Sequence, residues 1–383
     1  MSDPGDDRPS LLILGASARA AASSAWRAGF APIAVDLFAD RDLAARFPAH
    51  HADHNAYPAN LAPIAESLPS SPWIYTGALE NHPGLIDEIA RSRPLLGIAG
   101  DTLRAVRNPM TWGTALRAAG VAVLESRLAG DRPPLTGEWL LKPLASASGR
   151  GIRRWTLGEG PIPSACQLQA RRDGLPLGAT FVGNGRSARL IGITRQLLGR
   201  SREGLRVVYR GSVGPWPVVP GIEAAIARMG MVLATEFSIR GLFGIDLIVA
   251  NGIALPVEIN PRYSASVEVL EMASGVSIVT DHARAFGIEL EPPPIPRTVR
   301  VAAKRILFAR RHGQAPMEWP WTDPETVEPT VADLPAPGTL LGPGDPVLTV
   351  FAHGSTVGRA IARLTARASA WRRRIDGWVI SEN

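Results

Sequence analysis

The strongest constraint on the fold of this chain is a hairpin in the segment GLFGIDLIVANGIALPVEINPR, residues 241–262. Two apolar runs flank Asn251 and Gly252, and an Asn-Gly pair favours the left-handed backbone of a tight two-residue turn. The segment therefore predicts two antiparallel strands, one on each side of the turn. Asp246 lies in the middle of the first strand, and Glu258 and Asn260 lie in the second.

The predicted hairpin carries acidic side chains between apolar ones. Residues two apart on a strand project to the same face, so Glu258 and Asn260 point together, and Asp246 comes within reach across the ladder. Two carboxylates on one hairpin repel each other unless a cation neutralises them. A hard divalent ion such as Mg²⁺, commonly bound together with phosphate groups, does this. The alternative, a polar hairpin face in water, is disfavoured by the apolar flanks.

A lysine upstream suits the phosphate groups that such an ion accompanies. Lys142, in the segment WLLKPLASASGRGI, is one of two lysines among 383 residues, and the other cations are arginines. An ammonium is a compact point charge for phosphate, and the backbone amides of the small residues that follow can close over phosphate oxygens. The order differs from a P-loop, because the lysine precedes the loop and no helix follows directly.

The N-terminal segment SLLILGASARAAASSAWRAGFAPIAVDLF predicts a strand, a glycine turn, a helix and a second, parallel strand. Asp36 follows the turn by about 20 residues, as in dinucleotide-binding folds, but the glycine fingerprint is missing and nicotinamide binding is disfavoured. The later turn TGALEN puts Glu80 and Asn81 at the end of another strand, where open α/β sheets bind ligands. Asn81 is equally compatible with a cap of the next helix.

The rest of the chain predicts helices and a β-rich end. Helical patterns cover residues 101–120, with Asp101 as N-cap, and about 266–286, and the last ninety or so residues are rich in strands and loops. His50, His51 and His54 form a polar cluster that we interpret as surface residues. A proline-rich stretch, ELEPPPIPR, predicts a linker before the β-rich end.

Composition excludes several classes of protein. The formal net charge is +6, but the basic residues are scattered, so binding of nucleic acid is not expected. A single cysteine, Cys166, rules out an internal disulfide and a cysteine-rich metal site. The sequence has no run of 18 apolar residues, and its start is acidic and polar, so we expect a cytoplasmic protein without membrane contact. A homodimer is the base-rate expectation.

The order of these motifs resembles the ATP-grasp superfamily. A strand with Lys-Pro, a small-residue loop ending in GRGI, the segment QLQARRDG, and then GIDLIV followed by VEINPR occur in that sequence over about residues 101–287. The resemblance implies an N-terminal Rossmann-like parallel sheet and ATP-grasp lobes built on antiparallel sheets. Its domains would be 1–102 before the grasp, 103–290 for the ATP-grasp domain (lid lobe about 103–170, metal-binding lobe about 171–290), and 291–383 for a small β-rich C-terminal domain.

The resemblance also implies a role for each matching position. Asp246, Glu258 and Asn260 would hold one or two Mg²⁺ ions, with Mn²⁺ as an alternative. Lys142 would contact the α- and β-phosphates of ATP, and Arg262 would face the transferred phosphoryl group. Further nucleotide contacts would come from the loop Ser146–Gly151, including Ser148 and Gly149, and from the hinge residues Gln169 and Ala170.

Two positions depart from the family pattern. Family members usually carry a second lysine near the start of the grasp region, and Arg107 is its candidate here. An acidic residue often follows the hinge glutamine, where this chain has Ala170, so Asp173 becomes the candidate for the ribose contact. Arginine keeps the charge of lysine but changes the geometry of its hydrogen bonds.

The implied activity is that of an ATP-dependent carboxylate–amine ligase, with small-molecule acid and amine substrates. The segments YTGALENHP and EINPRYSASVEVLEMASG are similar to ATP-grasp proteins of methanofuran- or methanopterin-type cofactor biosynthesis, where amides of glutamate form. Candidate substrate contacts are Glu80, Asn81, Arg195 and Arg262. The alternatives are a carboxylase or formyl-phosphate enzyme of the biotin-carboxylase or purine-pathway kind, an NAD(P)-dependent oxidoreductase, and a non-catalytic nucleotide-binding protein.

Overall fold

The N-terminal residues form a four-stranded parallel sheet with helices on both faces, as the sequence predicts. The structure is a computed structural model, and it describes residues 8–200, 204–291, 300–318 and 330–378. The elements of this part are β1 (Ser10–Leu14), α1 (Arg19–Ala28), β2 (Ala31–Asp36), α2 (Arg41–Ala44), β3 (Ala49–His51), α3 (Leu61–Ser67), β4 (Trp73–Tyr75) and α4 (Pro83–Ser92). The strand order is β3-β2-β1-β4. Leu12 and Leu14 pack into one hydrophobic core and Leu11 and Ile13 into another, which explains the unbroken apolar run of β1.

A second, antiparallel sheet follows two short helices. These elements are α5 (Gly100–Arg107), α6 (Pro109–Ala118), β5 (Ser126–Leu128), β6 (Trp139–Pro143), β7 (Arg153–Arg154) and β8 (Cys166–Ala170), with strand order β5-β8-β6-β7. The prediction of one helix over residues 101–120 starting at Asp101 is wrong. The chain is extended at Asn108, as expected before a proline, and the Asn108 side chain accepts a hydrogen bond from the Met110 amide at 2.9 Å.

The third and largest sheet has eight strands. They are β9 (Leu175–Asn184), β10 (Ala188–Arg200), β11 (Arg206–Gly214), β12 (Arg240–Ala250), β13 (Ile253–Asn260), β14 (Val301–Phe308), β16 (Val331–Ala332) and β18 (Pro346–Gly354), and a small pair comprises β15 (Gly313–Gln314) and β17 (Leu340–Leu341). The strand order in the large sheet is β13-β12-β9-β10-β11-β14-β18-β16. The accompanying helices are α7 (Pro220–Glu236), α8 (Ala265–Ser274), α9 (Ile278–Ala285) and α10 (Val357–Ile375). The helix predicted over about 266–286 is therefore two helices, because Gly275 ends α8 with φ +71°.

The C-terminal strands continue the large sheet. Residues Gly211–Gly214 of β11 pair with Ala302–Arg305 of β14, and β14 pairs with β18. The region after residue 300 therefore shares a backbone ladder with strands of the predicted metal-binding lobe, and the domain boundaries stay a prediction. Most of the predicted proline linker lies outside the described residues. Within the ranges described above, no helix has the length and apolar character needed to cross a bilayer.

Candidate active site

The predicted hairpin forms, and its pairing shifts by one residue between Leu247 and Asp246. Asn251 and Gly252 both have positive φ, +51° and +75°, and β12 and β13 pair antiparallel on either side of them. Asp246 lies directly opposite Glu258, and Gly244 lies opposite Asn260. The two carboxylates thus face each other across neighbouring strands, and the amide of Asn260 lies one pair further along the same face.

The electrostatics of this pair fit a divalent cation. Burial, and then repulsion by Glu258, raise the pKa of Asp246 to about 6. The side chain of Glu258 stays 38 % exposed, so an ion can reach it. The described residues contain no cluster of three or more His, Cys, Asp or Glu side chains suited to a metal. Two carboxylates with one amide oxygen are hard oxygen donors, which suit Mg²⁺ and leave room for phosphate oxygens.

Two cations from other elements reach the carboxylates. Arg107, on α5, donates from Nη1 to Glu258 Oε1 at 2.7 Å, and from Nη2 to Asn81 Oδ1 at 2.9 Å. Lys142, on β6, is 6 % exposed, and its Nζ donates to Gln169 Oε1 at 3.1 Å. Burial lowers the pKa of Lys142, whereas the nearby Glu258 and Asp246 act in the opposite direction. Burial likewise acts to raise the pKa of Glu258, but Arg107 and Lys142 outweigh it and hold that pKa below its usual value.

A third cation, Arg262, links the hairpin to the N-terminal sheet. Its Nε and Nη2 both donate to Glu80 Oε1, at 2.9 and 2.7 Å, and Nη2 also donates to Asn260 Oδ1 at 3.0 Å. Glu80 is 3 % exposed. Burial acts to lower the pKa of Arg262, but the adjacent Glu80 raises it above its usual value. Glu80 therefore holds the guanidinium of Arg262 in place beside the predicted metal ligands.

The small-residue loop after Lys142 has the backbone that only a glycine-rich segment adopts easily. Ser148, Gly149 and Gly151 have φ of +56°, +78° and +75°. A Cβ on Gly149 would lie 2.1 Å from the carbonyl oxygen of Val207, so this loop approaches β11 as closely as glycine allows. Asn81 Nδ2 donates to the carbonyl oxygen of Ser146 at 3.2 Å and fastens the loop to the N-terminal sheet.

Asn81 does not cap the helix that follows it. The residue at the N-cap of α4 is His82, without a side-chain hydrogen bond. The Asn81 side chain instead connects Arg107 with the loop, so the structure brings both Glu80 and Asn81 to the site.

The structure leaves other predicted residues away from this cluster. Arg195 stacks its guanidinium on Trp216, with Cζ 5.0 Å from the ring centroid, and its neighbour Gln196 faces Asp246. Because successive residues of a strand point to opposite faces, Arg195 lies across the sheet from the carboxylates. The carboxylate of Asp173 is 81 % exposed and pairs with Arg171.

The polar groups of the predicted hinge already make hydrogen bonds within the protein. Gln169 is 2 % exposed, and besides accepting from Lys142 it donates from Nε2 to the carbonyl oxygen of Val257 at 3.2 Å. The amide of Ala170 donates to the carbonyl oxygen of Glu125 at 2.8 Å. The Gln169 side chain thus positions Lys142 against the hairpin.

Sequence reasoning missed Gln196. Its Nε2 donates to Asp246 Oδ1 at 2.8 Å from β10, which lies two strands away from β12 in the sheet. The sequence alone gave no reason to prefer Gln196 to Arg195, because both lie in one strand and the face toward the site depends on the pairing register.

The Asp36 side chain accepts backbone hydrogen bonds around the glycine turn. It is completely buried, and its oxygens accept from the amides of Ala18, Phe38 and Ala39 at 3.2, 3.2 and 2.8 Å. A carboxylate committed to three backbone donors is poorly suited to bind a ribose, which counts against the nicotinamide alternative. His50, His51 and His54 are exposed, as expected.

The hairpin and the strand that carries Lys142 lie within a segment that matches a known domain family. Residues 117–266 match the sequence model of the ATP-grasp domain, so the chain carries such a domain and the resemblance seen in its motifs is confirmed. The mixed α/β fold expected from that resemblance is confirmed as well.

Solved structures share the fold over nearly the whole chain. The biotin carboxylase domain of 2-oxoglutarate carboxylase from Hydrogenobacter thermophilus, solved with MgADP, ADP and bicarbonate, is 14% identical with a TM-score of 0.70, covering 93% of this chain and 88% of that one. Phosphoribosylamine–glycine ligase from Thermotoga maritima is 17% identical with a TM-score of 0.67, covering 94% and 96%. At these identities the likeness shows the fold alone.

One sequence relative is an uncharacterised protein of Methanocaldococcus jannaschii, 24% identical over 180 residues. The match covers 47% of this chain and 40% of the relative, so the chain spans less than half the length of that protein.

Proposed function

We propose that this chain is an ATP-dependent ligase that activates a carboxylate as an acyl phosphate and couples it to an amine, with release of ADP and phosphate. The observation that carries the proposal is the meeting of opposite charges from separate elements. Asp246 and Glu258 face each other on the hairpin, Arg107 of α5 contacts Glu258, and Lys142 of β6 lies close enough for both carboxylates to affect its pKa. Acidic side chains for a metal beside basic side chains for phosphates are what Mg·ATP requires.

The reaction has two steps that balance. The bond between the γ-phosphorus of ATP and the β–γ bridging oxygen breaks while a carboxylate oxygen of the acid bonds to that phosphorus. The amine nitrogen then attacks the acyl carbon, phosphate leaves with its oxygen, and the nitrogen loses a proton. Such transfers depend on positioning and charge neutralisation more than on a general base.

The residues would divide this work by their positions. Asp246, Glu258 and Asn260 would hold Mg²⁺, which supplies positive charge to the phosphate oxygens when bound. Lys142 and the loop 146–151 would contact the phosphates, with Arg107 in place of the usual second lysine. Arg262, oriented by Glu80, would stabilise the transferred phosphoryl group.

We propose the contacts to the nucleoside from the family pattern. Gln169 and Ala170 would lie at the hinge near adenine, and Asp173 would meet the ribose. The exposure of Asp173 supports this role, because its carboxylate can exchange Arg171 for a ribose hydroxyl at small cost.

The substrates would enter beside Glu80 and Asn81, at the carboxyl end of β4. A glutamate-linked amide of a one-carbon cofactor is the narrower form of the proposal, and it rests on the resemblance of the segments YTGALENHP and EINPRYSASVEVLEMASG. A carboxylating or formyl-phosphate reaction is the second candidate, favoured by the extent of the likeness to biotin carboxylase domains.

The test is release of ADP from Mg·ATP against a panel of amino acids, small carboxylates and bicarbonate. Stimulation by an acid and an amine together supports the ligase, and stimulation by bicarbonate alone supports the second candidate. Asp246→Asn and Glu258→Gln should each abolish ADP release, whereas Glu223→Gln, on the exposed face of α7, should not. Full turnover in both hairpin variants would overturn the assignment, and ATP binding without turnover under any substrate would favour a non-catalytic protein.

A further inference from the structure

A cavity of about 440 Å³ opens on the middle strands of the large sheet, between β10, β11, β14 and α10. It is separate from the candidate active site. Lys304 of β14 points to the opposite face, where it pairs with Glu268 of α8 at 2.9 Å, and the next residue, Arg305, points into the cavity.

Four arginines line this cavity, and each comes from a different place in the chain. They are Arg210 on β11, Arg305 on β14, Arg310 just after β14, and Arg372 on α10. Among the described residues, Asp376 forms ion pairs with two of these arginines, at 3.6 Å from Arg310 and 4.0 Å from Arg372. Four positive charges thus meet a single carboxylate.

Two of the arginines, Arg210 and Arg372, are held in position by contacts within the protein. Arg210 lies over the ring of Phe308, with Cζ 3.8 Å from the ring centroid, and fills the space that a side chain at Gly199 would need. Arg372 Nη1 donates to the carbonyl oxygen of Phe308. A guanidinium fixed in this way loses less conformational entropy when it binds an anion.

The proximity of these cations to one another, together with their partial burial, is electrostatically unfavourable. Burial lowers the pKa of Arg210. Burial, together with Arg310 and Arg210, lowers the pKa of Arg372 against the opposing effect of Asp376. A bound anion would relieve both the repulsion and the loss of hydration.

We infer that this cavity, defined by Arg210, Arg305, Arg310 and Arg372, binds a small anion of two or more negative charges, of the phosphate or diphosphate class. Planar guanidinium groups bind phosphate oxygens in pairs, and several of them around one volume favour a multiply charged group over a single carboxylate. The site lies outside the proposed ATP-binding cluster and does not depend on it.

The experiment is calorimetric titration of the full chain with pyrophosphate, without Mg²⁺ and at constant ionic strength. Because pyrophosphate can also enter the proposed phosphate cradle, Lys142→Gln is titrated in parallel and should retain binding at the cavity. The double variant Arg210→Gln/Arg305→Gln should weaken that binding at least about a hundredfold, since each charge-assisted contact contributes about 1.5–3 kcal/mol and 1.4 kcal/mol is tenfold.

Two further variants separate the site from bulk charge and from misfolding. Ser369→Glu puts a carboxylate at the exposed rim on α10 and should also abolish binding without disturbing the core. Arg373→Gln removes one positive charge from the exposed residue next to Arg372 and should leave the affinity within about twofold. The inference is overturned if Lys142→Gln binds no pyrophosphate, if Ser369→Glu binds it as tightly as the parent, or if Arg373→Gln loses as much as the double variant.

Discussion

Replacing Glu80 by glutamine removes one charge from a buried ion pair without changing the size of the side chain. Glu80 Oε1 accepts from Nε and Nη2 of Arg262 at 2.9 and 2.7 Å, and the two side chains are 2 % and 14 % exposed. The chain also contains a matched pair at the surface. Glu125 Oε1 accepts from Nε and Nη2 of Arg127 at 2.9 and 2.6 Å, but the glutamate side chain is 57 % exposed.

The two substitutions should differ because of burial and not because of geometry. Removing one partner of a buried pair leaves an uncompensated charge, which costs about 3–5 kcal/mol. The amide oxygen of glutamine still accepts from Arg262, so we expect Glu80→Gln to lower the free energy of unfolding by about 2–4 kcal/mol. For Glu125→Gln the expected loss is below about 1 kcal/mol, since water screens the pair.

The measurement is urea unfolding of the parent and both variants at neutral pH, with the midpoints compared at a common slope. ADP release gives a second measurement, since an Arg262 freed from Glu80 should lower kcat while the KM for ATP stays near that of the parent. Equal stability losses in the two variants would refute the reasoning from burial. Reduced stability with unchanged kcat would mean that Arg262 only holds the two sheets together.

Two further predictions concern a lysine and a histidine. Lys142→Arg should lose most ATP turnover in the ADP-release assay, because a planar guanidinium does not present the compact charge of an ammonium to the phosphates. Lys304→Arg, at an equally buried lysine that pairs with Glu268, should keep turnover. Equal turnover in both variants would count against the role of Lys142. Burial lowers the pKa of His282 to about 4, and the unfolded value is about 6.5, so the unfolded chain binds the proton first as the pH falls. The free energy of unfolding should therefore fall by about 1.4 kcal/mol per pH unit between pH 6.5 and 4, about 3 kcal/mol in all. In urea unfolding measured across this pH range, His282→Gln should make the free energy of unfolding depend less steeply on pH. The remaining dependence would come from His353, whose pKa is also lowered to about 4. An unchanged slope would contradict the prediction.

The hairpin shows how far local sequence can determine a site. The Asn251-Gly252 turn sets the register of β12 and β13 as far as Leu247, which pairs with Pro256. A one-residue register shift between Leu247 and Asp246 then puts Asp246 opposite Glu258, so the turn alone does not bring the two carboxylates together. The parallel N-terminal sheet follows from similarly local signals, because a short apolar run, a glycine turn and an amphipathic helix each have a characteristic period. These parts needed no information from distant residues.

The partners of these residues depended on long-range packing. The sequence offered Arg195 as a substrate contact, and the register of β10 turns Gln196 toward Asp246 instead. Asn81 was equally compatible with a helix cap until the approach of α5 placed Arg107 2.9 Å from its oxygen. Strand pairing decides which face a residue occupies, and contacts between residues far apart in the chain decide the pairing.

The C-terminal region gives the same contrast on a larger scale. The sequence pattern predicted strands in this region. Because β14 pairs with β11, these strands belong to the same sheet as the hairpin. The cavity lined by four arginines exists only because β11, β14 and α10 come together, and no local pattern separates these arginines from the others in the chain. The sequence by itself determined the hairpin, the lysine strand with its loop and the class of fold, because those signals lie within short segments. The tertiary structure decided which charges meet, because that depends on how separate elements pack.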